Sequence, residues 1–222
     1  MQAFKNIHEH AMSRCGGEQQ LHSRLPVPRS RQELKKLSDD FCLSEMTHRI
    51  FQAGLNQKMI DNKWPAFEAV FHRFEIQTVR MMSNEELDRL MHDRRIVRHW
   101  GKIQSVRHNA QTIHEINEEE GSFVSLIADW QGADTIGLWD YLHKRFKQLG
   151  GTSGSYFLRR IKKDTFLLTT DVVRAMGRWG AIDFVPKNKT QLRQVQSCMN
   201  KWQQESGLPY CQVSTILARS ID

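Results

Sequence analysis

The chain has no uninterrupted apolar run near the ~18 residues that a membrane-spanning helix needs, and its N-terminus has no apolar core of the kind a secretory leader carries. The expectation is a cytoplasmic protein with no membrane partner. Cysteine is scarce: Cys15, Cys42, Cys198 and Cys211 lie far apart and include no C-x-x-C pair. That spacing argues against a zinc ribbon or a cysteine-held iron–sulfur cluster and predicts reduced thiols. Alternating β-branched runs bounded by turn residues are nearly absent, so no sheet is expected. No internal repeat or low-complexity tract occurs. The ten histidines form no recognisable ligand spacing, and the expectation is no metal and no cofactor.

At 222 residues and 39% apolar composition, the chain is long enough to bury a core. Its net charge of +7 and pI near 9.4 favour a polyanionic partner. The excess is concentrated, because residues 141–200 hold twelve Lys or Arg against three Asp. That stretch is either an electrostatic footprint or an ordinary solvated surface.

Helical periodicity and capping signals dominate, which predicts an all-α fold. Ser30 with Glu33 and Ser83 with Glu86 have capping-box spacing, so helices should start just after both serines. The segment Pro26-Val27-Pro28-Arg29-Ser30 reads as a linker. Residues 1–30 are therefore expected to form an N-terminal helix and linker packing on a helical domain of residues 31–222. Further helices are expected at 42–54, 64–72, 84–92, 100–117, 121–129, 137–148, 154–162, 169–179, 188–205 and 211–219. Trp64-Pro65 should open one of them, with the indole in the core.

Leu149-Gly150-Gly151-Thr152-Ser153-Gly154-Ser155-Tyr156 lies between two helical patterns. Such a turn lets a phosphate oxygen approach the backbone, with the N–H groups of the next helix pointing at the anion. Lys144, Lys147, Arg159, Lys162 and Lys163 flank it and would add salt-dependent binding. A plain structural turn is the alternative. The continuation Phe166-Leu167-Leu168-Thr169-Thr170-Asp171, then Arg174 and Gly177-Arg178-Trp179-Gly180, resembles the signature of the helix-hairpin-helix DNA glycosylase superfamily, with the hairpin at about 140–163.

Two further blocks resemble the DNA-3-methyladenine glycosylase I group: Gln52-Ala53-Gly54-Leu55, and Ile96-Val97-Arg98-His99-Trp100-Gly101-Lys102-Ile103-Gln104 followed by Asn109-Ala110. The resemblance implies two helical subdomains flanking a base-binding cleft and a DNA duplex containing an alkylated base as partner. It also implies hydrolysis of the N-glycosidic bond of a flipped base, 3-methyladenine first among candidates. The superfamily's catalytic aspartate corresponds to Thr169, followed by Thr170 as in this group. The lysine of its strand-cleaving members corresponds to Ser155, so no Schiff base and no lyase step are expected. Gln52 to Leu55 would fill the gap left in the base stack. The hairpin residues Gly150 to Ser155 would hold the backbone with Thr169, Thr170 and Lys102, although Lys102 could equally be a solvated lysine.

The sequence also departs from the group. Its base-reading glutamate corresponds to Arg49 and its stacking tryptophan to Gln57. Glu45, one helical turn before Arg49, could supply the catalytic carboxylate or could simply pair with Arg49. Phe51, Gln52, His99 and Trp100 complete the expected base pocket, His99 with a purely structural alternative. The group's zinc, held by Cys and His near the two termini, is not expected: Met12-Ser13-Arg14-Cys15-Gly16 resembles the N-terminal part, but no histidine follows His143. Three functions remain open at this stage: a monofunctional, monomeric glycosylase for an alkylated purine, a lesion binder without catalysis, and a glycosylase for a different or bulkier base. Glu45 beside an aromatic wall would favour catalysis. A pocket plugged by Arg49 would favour the binder.

Overall fold

A computed structural model describes residues 1–221; Asp222, the last residue of the expected domain, lies outside the described residues. In chain order the helices are α1 (Phe4–Cys15), α2 (Glu18–His22), α3 (Arg31–Lys35), α4 (Asp39–Gln52), α5 (Gln57–Val70), α6 (Ile76–Arg80) and α7 (Asn84–Leu90). They continue with α8 (Trp100–Glu120), α9 (Phe123–Asp129), α10 (Thr135–Arg145), α11 (Ser153–Arg160), α12 (Thr170–Arg178), α13 (Lys189–Ser206) and α14 (Tyr210–Arg219). No strand occurs among the described residues, and no described helix is long and apolar enough to cross a membrane.

The chain divides into two compact units. One contains residues 1–29, 130–138 and 162 onward; the other contains 30–129 and 139–161. In the first, α1 buries Phe4, Ile7 and Ala11 on one face. Its unpaired first N–H groups are partly satisfied from far along the chain, where Glu205 accepts from Phe4 N at 2.8 Å. Trp202 of α13 is fully buried and donates its indole N–H to Gln2 O at 3.0 Å. Asp164 caps α14, its carboxylate accepting from Tyr210 N (3.0 Å) and Cys211 N (2.8 Å).

The second unit is built around an aromatic stack. Phe51 of α4 meets Phe67 of α5 edge-on at 4.6 Å, and Phe67, Phe71 and Phe74 continue the stack. Both expected capping boxes form, at Ser30 with Glu33 and at Ser83 with Glu86. Most helix boundaries shift by one to three residues from expectation, and two differences bear on the site. The helix placed at 42–54 runs from Asp39 to Gln52, its start set by the Ser38 cap. Trp64-Pro65 lies inside α5, which starts at Gln57 because the Asn56 side chain accepts from Met59 N at 3.0 Å. That cap supplies the start signal, and Pro65 removes one backbone donor without ending the helix. The short helices α2 and α6 have no counterpart in the sequence expectation.

Candidate functional site

The polar residues of the second unit converge where α4, α5 and α11 meet. Glu45, His48, Arg49 and Gln52 recur at the three- and four-residue spacing that keeps them on one side of α4. Arg160 of α11 donates from Nε to Glu45 Oε2 at 2.6 Å and from Nη2 to His48 Nδ1. On the other side of the imidazole, Nε2 lies 2.8 Å from Asp61 Oδ1, which also accepts from Gln52 Nε2 at 2.9 Å. The His48 ring stacks on Trp64 at 4.1 Å, and Trp64 stacks in turn on Phe67 and Phe74. Glu45 pairs with Arg160 rather than with Arg49. Its Oε1 makes no hydrogen bond among the described residues.

Arginine donates and never accepts, so His48 Nδ1 must be the acceptor and Nε2 must carry the proton toward Asp61. The imidazole is therefore neutral, and its contact with Asp61 is a hydrogen bond rather than an ion pair. Burial, with help from Arg160, holds the His48 pKa below its ordinary value of 6.5, against the opposing pull of Asp61 and Glu45. A depressed folded-state pKa contributes stability above the unfolded value that is lost as pH falls through the folded one. The urea midpoint of the protein should thus fall between pH 7 and pH 5, and His48→Gln should flatten that fall. An unchanged pH profile in the variant would mean that His48 is not held neutral.

Arg49 points elsewhere. Its guanidinium lies over the Tyr156 ring at 4.3 Å, and its Nε is buried with no hydrogen-bond partner. Lys102, expected at a phosphate, is 7% exposed and donates to Ala53 O at 2.7 Å and Phe51 O at 3.4 Å. This corrects the expectation, because the amine ties the α4–α5 turn to α8 and is not free for DNA. Phe51 is likewise not a pocket lining but fully buried core. Gln52 is buried and committed to Asp61, whereas Gln57 is exposed at the start of α5.

The elements joined by Lys102 carry exposed apolar side chains. Gly54 has φ +75°, a left-handed turn that suits glycine, and leaves Leu55 37% exposed. Trp100 at the start of α8 is 38% exposed. His99 caps that helix, its Nδ1 accepting from Lys102 N at 3.3 Å.

Asn109 organises the hairpin turn between α10 and α11, donating to Lys147 O (3.1 Å) and accepting from Lys147 N (2.8 Å). Gly151, at φ +57°, and Thr152 are exposed and Gly150 is half-buried, so the accessible tip is shorter than expected. Ser153, Gly154 and Ser155 are buried, with the Ser155 hydroxyl donating to Thr152 O at 2.9 Å. These three cannot touch a phosphate through their side chains. Part of the flanking basic excess is also engaged: Lys144 pairs with Asp140, and Lys163 is buried with its amine on Trp130 O.

Thr169 and Thr170 belong to the first unit. Thr169 caps α12, its hydroxyl accepting from Val172 N at 3.2 Å, and Thr170 is exposed. The zinc implied by the resemblance does not fit the residues near the termini. His10 Nδ1 lies 3.0 Å from Ser220 O, and no three His, Cys, Asp or Glu side chains converge among the described residues.

His48, Asp61, Trp64, Tyr156 and Arg160 were not singled out from sequence as site residues. Their signal is paired helical spacing: Glu45 with His48, Asp61 with Trp64, and Tyr156 with Arg160 each share one helix face.

A family model described as methyladenine glycosylase matches residues 33–150. DNA-3-methyladenine glycosylase 1 of Escherichia coli (strain K12) is 33% identical over 93 residues, which cover 42% of this chain and 47% of that protein. The chain thus spans about half the length of this curated relative. A solved structure of 3-methyladenine DNA glycosylase I from Staphylococcus aureus is 24% identical with a TM-score of 0.49, covering 69% of this chain and 92% of that one. Another structure of 3-methyladenine DNA glycosylase I is 23% identical with a TM-score of 0.49, over 64% and 85% of the two chains.

Proposed function

This chain belongs to the methyladenine glycosylase family, and from that premise we propose that it is a monofunctional DNA glycosylase that hydrolyses the N-glycosidic bond of an alkylated purine. The observation that carries the reading is Glu45. One of its carboxylate oxygens is fixed by Arg160 at 2.6 Å and the other is unpaired. A carboxylate held in this way can orient and deprotonate an attacking water and can stabilise an oxocarbenium-like sugar. Leu55, supported by the Lys102 tie, would fill the stack when the base is extruded. The hairpin tip at Gly150, Gly151 and Thr152 would hold the backbone of double-stranded DNA. Ser155 offers no amine, so the product is an intact strand with an abasic site. A DNA substrate also carries the expectation of a cytoplasmic location.

A second reading, a lesion binder without catalysis, is favoured by Arg49, which replaces the carboxylate that the resemblance implies for base reading with a cation lying over the Tyr156 ring. The two are separated by incubating alkylated duplex with the protein and measuring every free base released. Release of an alkylated purine supports the enzyme. Salt-sensitive DNA binding with no release of any base supports the binder.

The hairpin has its own test. Aspartate tolerates the left-handed region better than most residues, so Gly151→Asp should fold while placing a negative charge where a phosphate would sit. Affinity for any duplex is expected to fall about tenfold or more at low salt, and the difference should shrink as salt is raised. Unchanged affinity would move the DNA contact away from this turn.

A further inference from the structure

Three buried side-chain atoms lack a hydrogen-bond partner among the described residues: Asp39 Oδ1, Thr47 Oγ1 and Arg49 Nε. Asp39 still accepts from Asn117 through its other oxygen, and Thr47 is uncharged. Arg49 is different, because it carries a charge, its buried Nε has no acceptor, and no carboxylate pairs with it among the described residues. Burial disfavours its charge, and Arg160 adds to that against the opposing pull of Tyr156; burial and then Arg49 disfavour the charge of Lys102. Glu45, one turn away on α4, spends its charge on Arg160. The Tyr156 ring at 4.3 Å fixes the plane of the guanidinium.

We propose that Arg49 reads the extruded base, and that this base is a neutral guanine alkylated on its pairing face rather than a cationic N3-alkylated adenine. The inference rests on the glycosylase reading above and names its substrate. A planar, pre-oriented guanidinium matches two adjacent acceptors, and guanine presents them as O6 and N7. Adenine presents a donor amine on the same edge, which would face donors. A cationic base would add a further positive charge beside Arg49, Arg160 and Lys102. Alkylation at N1 or N2 leaves the O6/N7 edge free and the ring neutral, and it weakens pairing so that extrusion costs less.

The chemistry agrees with the charge. When a neutral purine departs, the C1′–N9 bond breaks and its electron pair stays on the purine, which leaves as an anion that a nearby cation stabilises. The water oxygen bonds to C1′ and gives a proton to the Glu45 carboxylate, which returns it to solvent. The purine anion then takes one proton from water, so the sum is hydrolysis. A cationic purine leaves neutral and gains nothing from an arginine.

The test uses three duplexes, containing 1-methylguanine, N2-ethylguanine or 3-methyladenine, with abasic sites counted after alkali cleavage. The intact protein should release at least one of the guanine lesions tenfold or more faster than 3-methyladenine. Arg49→Met should slow that release at least tenfold without changing binding to undamaged duplex or its salt slope. Arg49→Glu should shift the preference toward 3-methyladenine, with Arg49→Gln as the milder variant if the acidic one unfolds. Faster release of 3-methyladenine by the intact protein would overturn the proposal and leave the glycosylase reading standing. A loss of binding to undamaged duplex in Arg49→Met, with the salt slope reduced by about one, would make Arg49 a phosphate contact and overturn it as well. Release of no base from any duplex would remove the glycosylase reading and the proposal together.

Discussion

Glu45→Gln is expected to slow base release by about a hundredfold or more while leaving the fold and DNA affinity nearly intact. The amide oxygen can still accept from Arg160 Nε, which now bonds Oε2 at 2.6 Å, so the geometry of α4 against α11 is preserved. What disappears is the negative charge and the capacity to take a proton from water. The pair is partly exposed, so its loss should cost stability only ~1 kcal/mol or less. Single-turnover release on lesion duplex, alongside thermal melts of both proteins, checks this. A rate within a few-fold of the native protein would make Glu45 a structural partner of Arg160, and the attacking water would need another base.

The second large effect is on stability. Phe51→Ala should destabilise the unit containing α4 and α5 by about 3–5 kcal/mol, the usual range for removing a fully buried aromatic. Phe51 has no exposed surface. Its ring meets Phe67 at 4.6 Å, and its carbonyl receives the Lys102 amine. Collapse of the neighbours could refill the space only by moving the turn that carries Gly54 and Leu55. Denaturant titration followed by tryptophan fluorescence measures the effect, because Trp64 lies on the same stack. A loss below ~1 kcal/mol would mean that Phe51 behaves as a pocket lining after all.

Residue by residue, the sequence was informative where the causes are local. Ser30 with Glu33 and Ser83 with Glu86 form both halves of a capping box within four residues, and the hairpin glycines lie at the turn where they were expected. The Asn56 cap competes in the sequence with the start signal of Trp64-Pro65, and the structure uses Asn56. Lys102 and Phe51 lie in the interior for a reason that their motifs do not carry. Motif membership marked them as important, but only packing decides whether a side chain faces DNA or the interior.

By itself, then, the sequence determined the helical class, the capped helix starts, the basic excess and the family blocks, all of which depend on residues a few positions apart. Tertiary structure alone decided the partners. Glu45 could have paired with Arg49 one turn away, yet it meets Arg160, 115 residues later, because α11 packs on α4. The same packing sets Arg49 against Tyr156, leaving its buried Nε without an acceptor among the described residues. Spacing along one helix can place two side chains on a common face, but the element that covers that face determines which charge is matched.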